Sequence, residues 1–134
     1  MPWQIPKINW LPTDFYNSDD LNRVENNIQH LATMLGSYLG QTITLSVVLN
    51  RTMTRFEYFD SLNRIESNIS LLVSKFYIPA GWEASKTTWS SDQAFGYSDA
   101  NRLERNLFLL YELLNKTIDN YKFSGTFSSG EAVL

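Results

Sequence analysis

Three times in 134 residues the chain spells one phrase, N-R-[V/I/L]-E-x-N-[I/L]. Asp19 to Ile28 reads D-D-L-N-R-V-E-N-N-I, Asp60 to Ile69 reads D-S-L-N-R-I-E-S-N-I, and Ser98 to Leu107 reads S-D-A-N-R-L-E-R-N-L. Asn22, Asn63 and Asn101 set the spacing at 41 and 38 residues (63 − 22 and 101 − 63). A period of this length marks a repeated supersecondary unit, one that cannot bury its apolar face alone and stacks on its neighbours to do so.

The apolar residues identify the unit. Leu21, Val24, Ile28, Leu31, Leu35 and Tyr38 advance in alternating steps of three and four, the spacing of a helix packed along a coiled-coil-like seam. This predicts a helix over 19–40 with Asp19 as N-cap and Gly40 as its stop. A second helix over 60–76 starts at Asp60, carries Leu62, Ile65, Ile69, Leu72 and Phe76 on its seam, and is broken by Pro79-Ala80-Gly81. A third over 98–121 starts at Ser98 and carries Ala100, Leu103, Leu107, Leu110, Leu114 and then Thr117 or Ile118. It is the longest and most apolar of the three, wide enough to touch both others or a second copy. The expected fold is all-α and a single domain over 1–134: a three-helix bundle of three internal repeats about a pseudo-threefold axis, with long irregular aromatic-rich arms.

The segments between are less regular. Residues 1–18, with Pro2, Pro6 and Pro12 among Trp3, Trp10, Phe15 and Tyr16, read as an extended arm that docks its aromatics on the bundle. Between 41 and 55, Ile43, Leu45, Val47 and Leu49 alternate with polar residues. That is either a minor β element or an extended connection along the bundle. Residues 122–134 read as a tail or short hairpin.

In heptad terms Leu21 is a and Val24 is d, so Glu25 and Asn27 flank the seam, where interhelical polar pairs form. The same holds for each copy. Asn22, Arg23, Glu25, Asn27, then Asn63, Arg64, Glu66, Asn68, then Asn101, Arg102, Glu104, Asn106 form a structural clasp at the helix starts. The first Asn of each copy is expected at the third helical position, reaching back to the cap. Three carboxylates also suit a hard cation, but an Arg near every Glu favours ion pairs instead, and no metal site is expected.

Chemistry beyond this is sparse. Net charge is −3 and there is no basic run, which argues against nucleic acid. With no cysteine there is no disulfide, thiol nucleophile or thiolate metal site. No apolar run approaches the ~20 residues of a membrane span. The N-terminus lacks the charged and apolar regions of a signal peptide, pointing to a protein made and used without export. The single histidine, His30, falls at an outward heptad position and is expected to be solvated. No phosphate-loop, dinucleotide, metalloprotease or serine-nucleophile motif occurs. The expectation is a non-enzyme without cofactor.

Trp3, Trp10, Trp82 and Trp89 all fall outside the predicted helices. Trp10 and Trp89 each stand 12 residues before the first Asn of their repeat (22 − 10 and 101 − 89), where the second copy has Arg51. They are expected to pack over their own helix starts. That reason does not extend to Trp3 and Trp82, which are the candidate partner-binding residues.

The order of an aromatic, Pro-containing lead, a short gap, D-x-L-N-R-[I/V]-E-x-N-I and a helix resembles a module of tail-associated proteins from phages and prophages of Gram-positive bacteria, found in fibre, baseplate or minor structural regions. The likeness covers the three repeat phrases, with Ala100 and Ser98 departing from it in the third. It implies a virion component assembled in the bacterial cytoplasm into a tail or its host-recognising tip. Its partners would be other virion and tail proteins or further copies of itself, and no catalytic residues carry over. The alternative is a carbohydrate-binding module that reads a bacterial surface glycan through Trp3 and Trp82.

Overall fold

The computed structural model of the chain describes residues 2–14, 17–50, 59–90 and 93–126, the last six as helix backbone only. It is all-helical, with α1 (Ser18–Leu39), α2 (Phe59–Ser74) and α3 (Tyr97–Thr126), and no strand occurs among the described residues. The expected seam is the core. Leu21, Val24, Ile28, Leu31 and Leu35 of α1 meet Leu62, Ile65, Ile69 and Leu72 of α2 and Leu103, Leu107, Leu110 and Leu114 of α3, all buried in one cluster. Arg23 pairs with Glu104, Arg64 with Glu25 and Arg102 with Glu66. These pairs put the N-terminal halves of all three helices side by side, at the same depth in each, so the helices run in one direction. The connections must then travel back along the bundle, which accounts for their length.

The helix caps differ from expectation. Asn17, not Asp19, caps α1: its side chain accepts the Asp19 and Asp20 N–H groups at 3.0 and 3.3 Å, and the Asp20 carboxylate takes the Asn17 N–H at 2.8 Å. At α3 the Asp99 carboxylate takes the Gly96 N–H at 3.0 Å, so Ser98 lies inside the helix rather than capping it. Asp60 likewise lies inside α2. An aspartate at the third helical position satisfies the cap better than an amide, because its charge also suits the positive end of the helix dipole. Asn22 and Asn101 are thereby left for other work.

Of the two readings of 41–55, the extended connection holds among the described residues: 42–50 are extended without a strand partner, their polar backbone turns to helix side chains at Ser46 and Val48, and 51–55 lie outside the described residues. The helix expected to end at residue 121 continues to Thr126, so the first part of the expected tail is helical, and 127–134 lie outside the described residues. Helix α2 stops at Ser74 rather than Phe76.

At the far end of α1, Gly40 takes a left-handed conformation (φ 72°) and closes the helix. One turn earlier Gly36 lets the chain double back, since a Cβ there would lie 2.6 Å from the Gln41 carbonyl oxygen. Alanine is the better helix former, by up to ~1 kcal/mol. Here the obstruction is backbone and cannot rotate away. Gly36→Ala is therefore expected to destabilise the fold by about 1–2 kcal/mol, an overpacking cost, read as a lower urea midpoint at unchanged slope.

Candidate functional site

Each repeated glutamate is fully buried, and each meets donors from elsewhere in the chain. Glu104 accepts Arg23 through Nε and Nη2 at 2.8 and 2.6 Å, the Lys7 N–H at 3.1 Å and the Trp10 indole N–H at 3.0 Å. Glu66 accepts both terminal nitrogens of Arg102, the Lys86 N–H at 2.8 Å and the Trp89 indole N–H at 2.6 Å. Glu25 accepts Arg64 at 2.6 Å and the Val48 N–H at 3.2 Å. A carboxylate in an apolar interior is tolerated only with such donors, since desolvation otherwise exceeds what one ion pair returns. The arginines reach across to the neighbouring helix in every case.

Arg102 is itself buried beside Asp99, whose carboxylate it meets at 3.3 Å, as Arg23 meets Asp20 at 3.1 Å. Burial alone would lower its pKa. Hydrogen bonds and attraction from Glu66 and Asp99 outweigh that and hold the pKa above its ordinary value.

The asparagines hold backbone. Asn27 accepts the Gln4 N–H at 2.9 Å and donates to the Gln4 carbonyl at 2.8 Å. Asn106 does the same for Glu83 at 3.1 and 2.7 Å, and Asn68 donates to the Ser46 carbonyl at 2.9 Å. Asn101 holds both polar groups of the Trp10 backbone at 2.7 and 3.1 Å, and Asn63 those of Trp89 at 2.7 and 2.9 Å. Asn22 is half-buried on the same turn of α1 and is also engaged. A side-chain amide offers one acceptor and donors in the geometry of a peptide group, so it pairs with an extended backbone as a neighbouring strand would.

Together these contacts seat each extended segment between two helices. Residues 4–10 lie between α1 and α3, residues 46–48 between α2 and α1, and residues 83–89 between α3 and α2.

Trp10 and Trp89 are buried, as expected, but over the neighbouring helix rather than their own: Trp10 on α3 and Trp89 on α2. Lys7 and Lys86 lie over their ring faces, 4.1 and 3.9 Å from the centroids. Trp3 and Trp82 are half-buried and pack against the core. Trp3 stacks on Tyr111 at 3.9 Å with the rings 4° from parallel. His30 lies 5.9 Å from both rings, half-buried rather than solvated.

Sequence reading missed Lys7, Lys86, Tyr111 and Asn26, whose amide donates to the Pro2 carbonyl at 2.8 Å. For the lysines a signal was present. Trp3, Lys7 and Trp10 stand 79 residues before Trp82, Lys86 and Trp89 (82 − 3, 86 − 7 and 89 − 10), the same offset that separates Asn22 from Asn101. Trp3 and Trp82 therefore do share a repeat position. The place of Arg51 lies outside the described residues.

Among the described residues no group of three or more His, Asp or Glu is placed to hold a metal ion. No described helix is long and apolar enough to cross a membrane. The fold and site thus define a class by geometry: three co-directional helices whose buried Glu, Arg and Asn residues clasp extended segments in the grooves between them. Comparison with protein-family models, with curated proteins and with solved structures returned no match.

Proposed function

We propose that the chain is a pseudo-threefold scaffold of three arm-and-helix repeats. In this reading it serves as a non-catalytic, tail-associated structural protein of a phage or prophage particle, working through protein–protein contacts. One observation carries this reading. The polar chemistry that the chain repeats is spent inward, on arms and on neighbouring helices, and the carboxylates that a reaction would need are already ringed by donors. What faces outward on the first arm is aliphatic: Ile5, Ile8 and Leu11 are exposed where the third arm has Ala84, Thr87 and Ser90. Phe59, Tyr77, Ile78 and Tyr97 add exposed apolar surface elsewhere. Apolar side chains on a frame whose repeated carboxylates and amides are paired internally suit a subunit that is built into something larger. The resemblance of the repeat phrase to phage tail modules supplies the kind of assembly.

The glycan reading loses support, because Trp3 already gives a ring face to Tyr111. Immunogold labelling of particles induced from the source strain tests the proposal. Label at the tail or its tip is expected, and intact unlabelled particles would overturn the particle assignment.

A further inference from the structure

The segment Gln41 to Asn50 holds no charged residue in a chain that is 19% charged. Its middle, T-I-T-L-S-V-V-L, is rich in β-branched residues and alternates in burial. Ile43 is buried and Leu45 and Val47 half-buried, while Thr42, Thr44 and Ser46 are exposed. Ser46 and Val48 are bonded to the helices through Asn68 and Glu25. The backbone groups of Thr42, Ile43, Thr44 and Leu45 have no hydrogen-bond partner among the described residues. They border an open cleft of about 590 Å³ that Gln29, Ala32, Thr33, Gly36 and Ser37 of α1 line on the other side.

An extended segment with free backbone groups is a template for another strand. Proteins that stay monomeric guard such edges with lysine, proline, a bulge or a covering element. None of the guarding residues is present between 41 and 50. We propose that this edge pairs, antiparallel and across a twofold axis, with the same segment of a second copy of the chain. The absence of charge suits a like partner: in a twofold contact residue i of one copy meets residue j of the other and j meets i, so a charged residue at or beside the axis would lie against its own counterpart at a cost. Here Thr and Ser meet one another on the exposed face, and Ile43, Leu45 and Val47 meet one another on the inward face. The open cleft between this edge and Gln29, Thr33 and Ser37 of α1 gives room for the partner's backbone. This surface is separate from the helix-start clasp, and the pairing does not depend on the particle assignment.

Sedimentation velocity of the intact chain across a concentration series tests it, together with Thr44→Lys and Thr44→Pro. Thr44 is exposed and its backbone is unbonded, so both changes are expected to leave helicity intact. The wild type should form dimers with a Kd below ~10 μM, and each variant should weaken it by about tenfold or more, through like charge or a lost ladder donor. Hydrogen exchange gives a readout that needs no variant: amides within 42–47 should be protected in the dimer and lose protection on dilution. A wild-type monomer throughout the series overturns the proposal. So does a dimer that both variants leave intact, or one in which 42–47 exchange freely.

Discussion

Glu66→Ala is expected to cost about 3–5 kcal/mol of folding stability, the usual result of removing one partner from a buried ion pair. Glu66 is fully buried, and its loss strands Arg102, the Lys86 N–H and the Trp89 indole N–H together. Arg102 cannot shed its charge, because a guanidinium stays protonated at any ordinary pH, and without Glu66 only Asp99 remains to set against its burial. Nor can it swing freely to solvent, since its side chain is only 10% exposed, against 18% for Arg23 and 24% for Arg64. The three glutamates should therefore rank, with Glu66→Ala the most damaging and Glu25→Ala the least. Urea denaturation followed by helical circular dichroism measures this as a shift in midpoint. A cost below ~1 kcal/mol, the range of exposed ion pairs, would mean that the pair is wet and the clasp weak. Replacing Glu66 and Arg102 together by methionine should recover much of the loss, because the penalty comes from the uncompensated charge.

How far such an arrangement can be read in advance depends on whether the signal is local. The seam was legible from Leu21 to Leu114 because its 3–4 spacing lies within one helix and needs no knowledge of the partner. The clasp was legible only as a set of residues. Its true partners are backbone groups of Gln4, Trp10, Glu83 and Trp89, between 23 and 91 residues away in sequence, and nothing in N-R-x-E-x-N says that an amide will hold a distant backbone. The caps were misplaced by a different route. Asn17-Ser18-Asp19-Asp20 satisfies the capping-box pattern two residues before Asp19, at a place that the three copies of the phrase do not share. Alternation at Ile43, Leu45 and Val47 looked like a strand because any extended chain laid along a surface turns alternate side chains inward. Whether it pairs with a sheet or lies on helices is a tertiary matter.

Trp10→Ala should cost about 3–5 kcal/mol, as large-to-small changes of buried aromatics do. Trp10→Phe should cost less, chiefly the lost indole donor to Glu104, about 1.5–3 kcal/mol for a bond to a charged group. The two values separate what the ring contributes by burial from what it contributes as a donor. The same pair of changes at Trp89 should behave alike, since Trp89 is equally buried and gives its indole N–H to Glu66 at 2.6 Å. The measurement bears on the role of the first arm. Its only described bonds to the bundle are made by side chains of α1 and α3 to its backbone and by its tryptophans. If Trp10 anchors it, the arm is part of the fold, and its outward row of Ile5, Ile8 and Leu11 is held at fixed spacing for whatever covers it. If Trp10→Ala leaves the urea midpoint unchanged, the Trp10 side chain does not anchor the arm, which is then held by its backbone and by Trp3.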